Sequence, residues 1–422
     1  MSPKSRGRPK GRGRQPGRRR PATVAPLPRS LVVDVLADAA PLLPLRDVLE
    51  VEQWASSWLG EAWAAGDLGD RDPDGGLCRD LAARALARPT ASALAAVAAL
   101  ARVAPPSGRD SLQRAVLRLS GTVPAPAWLD APAHRPLRAW RAVDVWDSEH
   151  VLFVDLDGPS PHTVMAATRY VGGTVLDTLG LLRPGAAEAW AAMREDDEPP
   201  MPVAEIGVED ALRELAAVLD LTDITWPRTG DDGILDTRAV AWSHCRAHLA
   251  RTDHVDLGDA ERQELLAAFH ARPDVTALDA EPDSIGYLSS VCLDYGTGYM
   301  PTGYLCWSPA QVEYFLTDWL PRKAHLDADD RAALPGVLRA WVRFALERRD
   351  VPAEWITPVV GAVEDCLPGF AEAVDDTSSW GPAKQLVARL ESMGIDLSDQ
   401  DAVDGAIRAV NAENLARRVL DR

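Results

Sequence analysis

At 422 residues, 46% of them hydrophobic and 26% charged, the chain can bury two or three cores, which excludes a wholly disordered protein. Its charge is divided: residues 1–30 hold ten Lys and Arg and no Asp or Glu, so against a chain total of −18 the remaining residues carry −28. The five Cys (Cys78, Cys245, Cys292, Cys306 and Cys366) are widely spaced and contain no Cys-x-x-Cys pair, which excludes a disulfide framework or a zinc ribbon and points to a reducing compartment.

Residues 1–29 combine Arg, Gly and Pro with few apolar side chains, so they cannot offset the entropy of ordering and are expected to be a disordered basic tail. From residue 30 to 120, apolar residues recur at helical spacing, as in Val48, Val51, Ala55, Trp58 and Leu59, and again in Leu94, Val97 and Leu100, with Pro41, Pro44 and Pro105 as breaks. A helical domain is predicted there, with Trp54, Trp58 and Trp63 mostly in its core. Residues 121–136, rich in Pro and Ala, read as a linker.

Residues 137–280 predict an α+β domain. Val143 and Val145, Val151 to Leu156, Thr163 to Val171 and Thr174 to Leu181 are β-rich runs bounded by Asp, Gly or Pro, and they predict three or four antiparallel strands. Helical periodicity returns at Val208 to Leu221, Leu235 to Arg251 and Ala260 to Ala271. Residues 281–307 read as a Gly/Tyr-rich loop, which interleaves aromatic residues with Gly as ligand pockets can, but holds no Lys or Arg to follow a phosphate backbone. Residues 308–422 predict a helical domain: Ser308-Pro309 supply an N-cap and a first-turn Pro, with further helices near 328–349, 352–374, 381–393 and 399–420. The fold class expected is therefore mostly α with a small antiparallel sheet.

The tail carries the sharpest functional signal. Arg6, Gly7, Arg8, Pro9 and Lys10 resemble an AT-hook, a short DNA-binding peptide with a Gly-Arg-Pro core; the resemblance implies a minor-groove contact, where narrow A/T tracts attract Arg. Arg12, Arg14, Arg18, Arg19 and Arg20 would add phosphate contacts that carry no sequence information, and the same composition suits RNA.

Two weaker signals lie in the body. Val151-Leu-Phe-Val-Asp155-Leu-Asp157-Gly158 resembles the opening motif of haloacid-dehalogenase-like phosphatases, which implies Asp155 as nucleophile and Asp157 as acid/base assisted by Mg²⁺. That family also uses a downstream Lys, and no Lys stands between Asp157 and Lys323; the segment runs straight into another β-rich stretch, as a hairpin turn would. His244 and His248, four apart on a predicted helix, could share a face as in helical metal sites, with helix packing as the alternative.

The layout as a whole resembles a family of actinobacterial proteins of unknown function, through the Trp54-Ala-Ser-Ser-Trp58-Leu-Gly motif, Leu137-Arg-Ala-Trp-Arg141 and Val312 to Lys323. The resemblance implies a cytoplasmic origin and no activity. The sequence thus favours a non-enzymatic protein without a cofactor. It would meet DNA or RNA through residues 4–20, placing it at the nucleoid, and meet a further protein partner through an acidic body. Its alternatives are a metal-assisted hydrolase using Asp155/Asp157 or His244/His248, and a scaffold for a basic protein. No run of about 18 apolar residues suggests a membrane span.

Overall fold

The structure, a computed structural model, describes residues 31–376 apart from 69, 71, 194–198, 229–230 and 251–256. The basic tail and the helices expected at 381–393 and 399–420 lie outside the described residues. The remainder is a mostly helical α+β protein, as its periodicities imply.

Five helices come first: α1 (Leu31–Asp38), α2 (Val48–Ala65), α3 (Pro73–Ala87), α4 (Ala91–Val103) and α5 (Pro106–Ser120). Short polar side chains start α2, α3 and α4, since Asp47, Asp72 and Thr90 each accept a backbone N–H of the first turn. Their apolar stripes close one core through Val51, Leu59, Leu81, Leu94, Leu100 and Leu112. Trp63 is buried as expected, whereas Trp54 and Trp58 are half-buried because both indole N–H groups reach out to the Asp38 carboxylate, at 2.7 and 3.3 Å.

After an irregular stretch to His134, four strands follow: β1 (Arg135–Val143), β2 (Glu149–Asp157), β3 (His162–Arg169) and β4 (Val175–Leu182). The fifth, β5 (Val203–Ile206), pairs antiparallel with β1 and completes the order β4-β3-β2-β1-β5. This edge strand and helix α6 (Ala186–Met193) are not predicted from the sequence, because four- and eight-residue elements are too short to leave a periodic signal. Trp140, Phe153 and Met201 pack with α6 on one face of the sheet. The other face carries Leu152, Val154 and Leu156 against α7 (Val208–Ile224) and α8 (Asp232–Cys245).

Helix α8 joins the first five helices to the sheet. Its Ala239 and Val240 belong to the core of the first five helices, and its Ile234, Ala241 and Trp242 belong to the sheet's core, so one helix serves both. The close approach requires Gly60 on α2, where a Cβ would stand 2.3 Å from the Leu235 carbonyl oxygen.

Helices α9 (Asp259–His270), α10 (Pro273–Thr276) and α11 (Pro282–Tyr299) follow. The last replaces most of the loop expected at 281–307. Leu288, Val291, Cys292 and Tyr295 keep a helical stripe that is buried, and Gly296 is needed because a Cβ there would meet the Tyr304 carbonyl oxygen at 2.3 Å. Ser308 caps α12 (Pro309–Tyr314), which continues through a π turn at Phe315–Trp319 into α13 (Leu320–Lys323); α14 (Ala328–Glu347) and α15 (Ala353–Asp375) complete the third core. All five Cys are free thiols, and no helix among the described residues is long and apolar enough to cross a membrane.

Candidate functional site

A cavity of about 1100 Å³ opens where the sheet meets the C-terminal helices. The β1–β2 connection builds its floor. Asp144 accepts the Ser148 and Glu149 backbone N–H groups at 2.6 and 3.1 Å and the Ser148 hydroxyl at 2.7 Å, tying the loop into a fixed turn. That turn holds Asp147 in the left-handed region at φ 61°, a conformation Asp tolerates better than most residues. The loop then docks on the helices: Trp146 donates its indole N–H to the Trp355 carbonyl at 2.9 Å, and Thr302 donates its hydroxyl to the Asp147 carbonyl at 2.7 Å.

Antiparallel register places the rest. Val143 pairs with His150 and Arg141 with Leu152, so Arg141 and His150 share the face on which α7 lies. Glu214 sits one turn from Ala211 and Val218 on α7, at the margin of its packed stripe. Asp350, at φ 56°, ends α14 in a left-handed turn closed by the Val351 N–H on the Leu346 carbonyl at 3.0 Å, and this aims the adjacent Arg349 at the loop.

The result is a carboxylate–imidazole–carboxylate clamp. His150 Nε2 lies 2.6 Å from Asp147 Oδ1, and its Nδ1 lies 3.1 Å from Glu214 Oε1. Arg141 donates to Glu214 Oε2 at 3.2 Å, while Arg349 donates to Asp147 Oδ2 at 3.3 Å. The Tyr170 ring meets the imidazole edge-on at 4.7 Å. Burial alone would disfavour the imidazolium, but the hydrogen bonds and charges of Asp147 and Glu214 outweigh it and push His150 up to about 9. His150 is therefore protonated at neutral pH, with both ring nitrogens occupied.

A second buried cluster joins the helical region to the sheet. Glu52 on α2 takes Arg102 Nε at 2.7 Å and His134 Nδ1 at 2.9 Å, and the His134 ring meets that of His162 edge-on at 4.8 Å. Burial raises the Glu52 carboxyl, yet the His134 hydrogen bond and the Arg102 charge bring it below its ordinary value. His162 has its Nδ1 2.8 Å from the Ser160 carbonyl, and its Nε2 is buried without a partner. His244 joins this group at the end of α8: its Nε2 is likewise buried and unpartnered, and burial pushes it down to about 4. His162 is lowered too, by burial and then by the neighbouring His134.

The earlier candidates fall differently. His248 lies in a 3-10 turn beyond the end of α8, so it shares no helical face with His244; the periodicity placed the helix end six residues too late. His134 uses Nδ1 toward Glu52 and Nε2 to accept the Ser160 N–H at 3.3 Å, so both of its ring nitrogens are engaged within the protein. Among the described residues no group of three or more His, Cys, Asp or Glu could hold a metal ion. Asp155 and Asp157 stand at the end of a central strand of an antiparallel sheet, followed by a hairpin into β3 and not by a crossover helix. Asp155 accepts the Thr163 hydroxyl, and Asp157 accepts the Gly158 N–H at 2.8 Å, so each is engaged in building the hairpin.

Sequence reasoning missed Asp147, His150, Glu214 and Arg349, which stand up to 202 residues apart. The legible signals were the Asp144-x-x-Asp147-Ser148 turn and the Gly- and Tyr-rich run at 295–304, whose Gly296, Gly298, Tyr299, Gly303 and Tyr304 do line the cavity. No family model, curated protein or solved structure matches the chain.

Proposed function

We propose that the body is a non-catalytic binding module that takes a small molecule into the cavity between sheet and C-terminal helices, and that residues 4–20 hold it on DNA or RNA. The observation that carries the body's role is the His150 clamp. A general base needs a free lone pair near the reacting atom, and this imidazole is protonated with a carboxylate on each nitrogen. Such a group fixes the shape and polarity of a pocket wall. A volume of about 1100 Å³ suits a ligand of cofactor or drug size. The hydrolase alternative draws less support, because Asp155 and Asp157 are taken up by the hairpin and His248 is off the helix.

The tail reading rests on composition: ten cations and no acid in residues 1–30, ahead of a body of charge −28 that would repel a polyanion. Neutralising about five phosphates gives a slope of about −4 to −5 in log K against log salt. Deletion of residues 1–29 should abolish binding to both DNA and RNA. Binding retained by the acidic body would refute the tether.

A further inference from the structure

The hydrogen-bonding ledger of the cavity wall is one-sided. Glu214 already takes His150 on Oε1 and Arg141 on Oε2. Asp147 takes His150 on Oδ1, and on Oδ2 it takes Arg349 at 3.3 Å and the Cys306 thiol at 3.8 Å. Asp144 spends both oxygens on the turn beneath. Every carboxylate oxygen on the wall therefore has a donor.

The donors are not used up. Of the five guanidinium N–H groups of Arg141, only one on Nη1 has a protein acceptor among the described residues; the side chain is 41% exposed, and Arg141 lines the cavity. The Tyr170 hydroxyl also has no partner among the described residues, and it lies near the Arg141, Glu214 and Asp147 charges. The same lining includes the apolar Val143, Val218, Leu221, Leu257 and Met300. With His150 as imidazolium, three cations face three carboxylates, so the wall carries no net charge and its preference is set by which hydrogen-bonding groups are left without a partner.

We infer that the cavity takes an organic acid, an apolar chain or ring that ends in one carboxylate, with the carboxylate on the free edge of Arg141 and the Tyr170 hydroxyl. Planar guanidinium and carboxylate match in a two-point contact, and the groups of this wall left without a protein partner among the described residues, on Arg141 and Tyr170, are donors. The inference rests on the binding-module reading above and adds the ligand's chemical class.

The test uses the full chain and 8-anilinonaphthalene-1-sulfonate, a fluorescent apolar anion, displaced by decanoate or by decan-1-ol below their aggregation concentrations. Decanoate should bind at least tenfold tighter than decan-1-ol. Arg141→Met and, as a variant that leaves Glu214 paired, Tyr170→Phe should each reduce that preference, Arg141→Met to less than threefold. Gly298→Trp should weaken decanoate at least fivefold, since a Cβ at Gly298 meets nothing within 4 Å and the indole would enter the cavity from α11. Equal binding of acid and alcohol would overturn the carboxylate assignment and leave the cavity as a binding site. Failure of the fluorophore and of both competitors to bind, or binding untouched by Gly298→Trp, would overturn the cavity reading and the assignment together.

Discussion

Replacing His150 with Gln removes the one cation among the described residues that touches both Asp147 and Glu214, and the loss should depend on pH in a calculable way. The imidazole is held at about 9 in the folded chain, against about 6.5 in an unfolded one. Because the folded value is the higher, the folded state binds the extra proton between them. Its contribution is therefore fully present below about pH 6.5 and is lost as pH rises through 9. The linkage relation gives about 3 kcal/mol at pH 6, about 2.5 kcal/mol at pH 7 and almost nothing at pH 9.5. With the side chain only 10% exposed, solvent screening removes little of this. Urea unfolding of both proteins at pH 6, 7.5 and 9.5 isolates the effect, since other titrating groups cancel in the difference. The wild-type advantage should shrink by about 2–3 kcal/mol across that range. A gap independent of pH would show that His150 is not a clamped imidazolium.

At acid pH the opposite sign applies to His244 and His162, whose folded values lie below the ordinary one. The unfolded chain then binds more protons, so stability should fall as pH drops from about 6.5 toward 4, and His244→Gln should flatten that fall in chemical denaturation; an unchanged slope would remove His244 from the acid-sensitive cluster. Gly172→Ala should destabilise by about 1–3 kcal/mol, because Gly172 has φ 65° and a Cβ there would lie 2.3 Å from the Tyr314 ring; a stability within 0.5 kcal/mol of the parent, roughly the size of an ordinary surface change, would refute that close contact.

Elements with local causes were legible in the sequence. Ser308-Pro309 announces the start of α12, the run Val151 to Leu156 announces β2, and Asp157-Gly158 announces the hairpin that separates β2 from β3. Helix α11 was hidden because Gly286, Gly296 and Gly298 argue locally against a helix, while the stripe from Leu288 to Tyr295 earns its stability only against the third core. The site was hidden for a related reason. Glu214 and Arg349 acquire their partners on the β1–β2 loop and the start of β2 only when that loop docks under α7 and beside the end of α14, contacts that span 64 and 202 residues of chain. His244 gave the reverse lesson: its spacing to His248 suggested a metal pair, whereas its neighbours are His134 and His162 from a distant stretch of chain.

The central claim divides two roles between two parts of one chain, and a paired titration of the protein lacking residues 1–29 tests it most directly. A labelled A/T-rich duplex and 8-anilinonaphthalene-1-sulfonate are each titrated against the full and the shortened chain at the same salt. The account predicts that the shortened chain loses the duplex and binds the fluorophore within twofold of the full chain. Duplex binding retained by the acidic body, or fluorophore binding that vanishes with the tail, would contradict it.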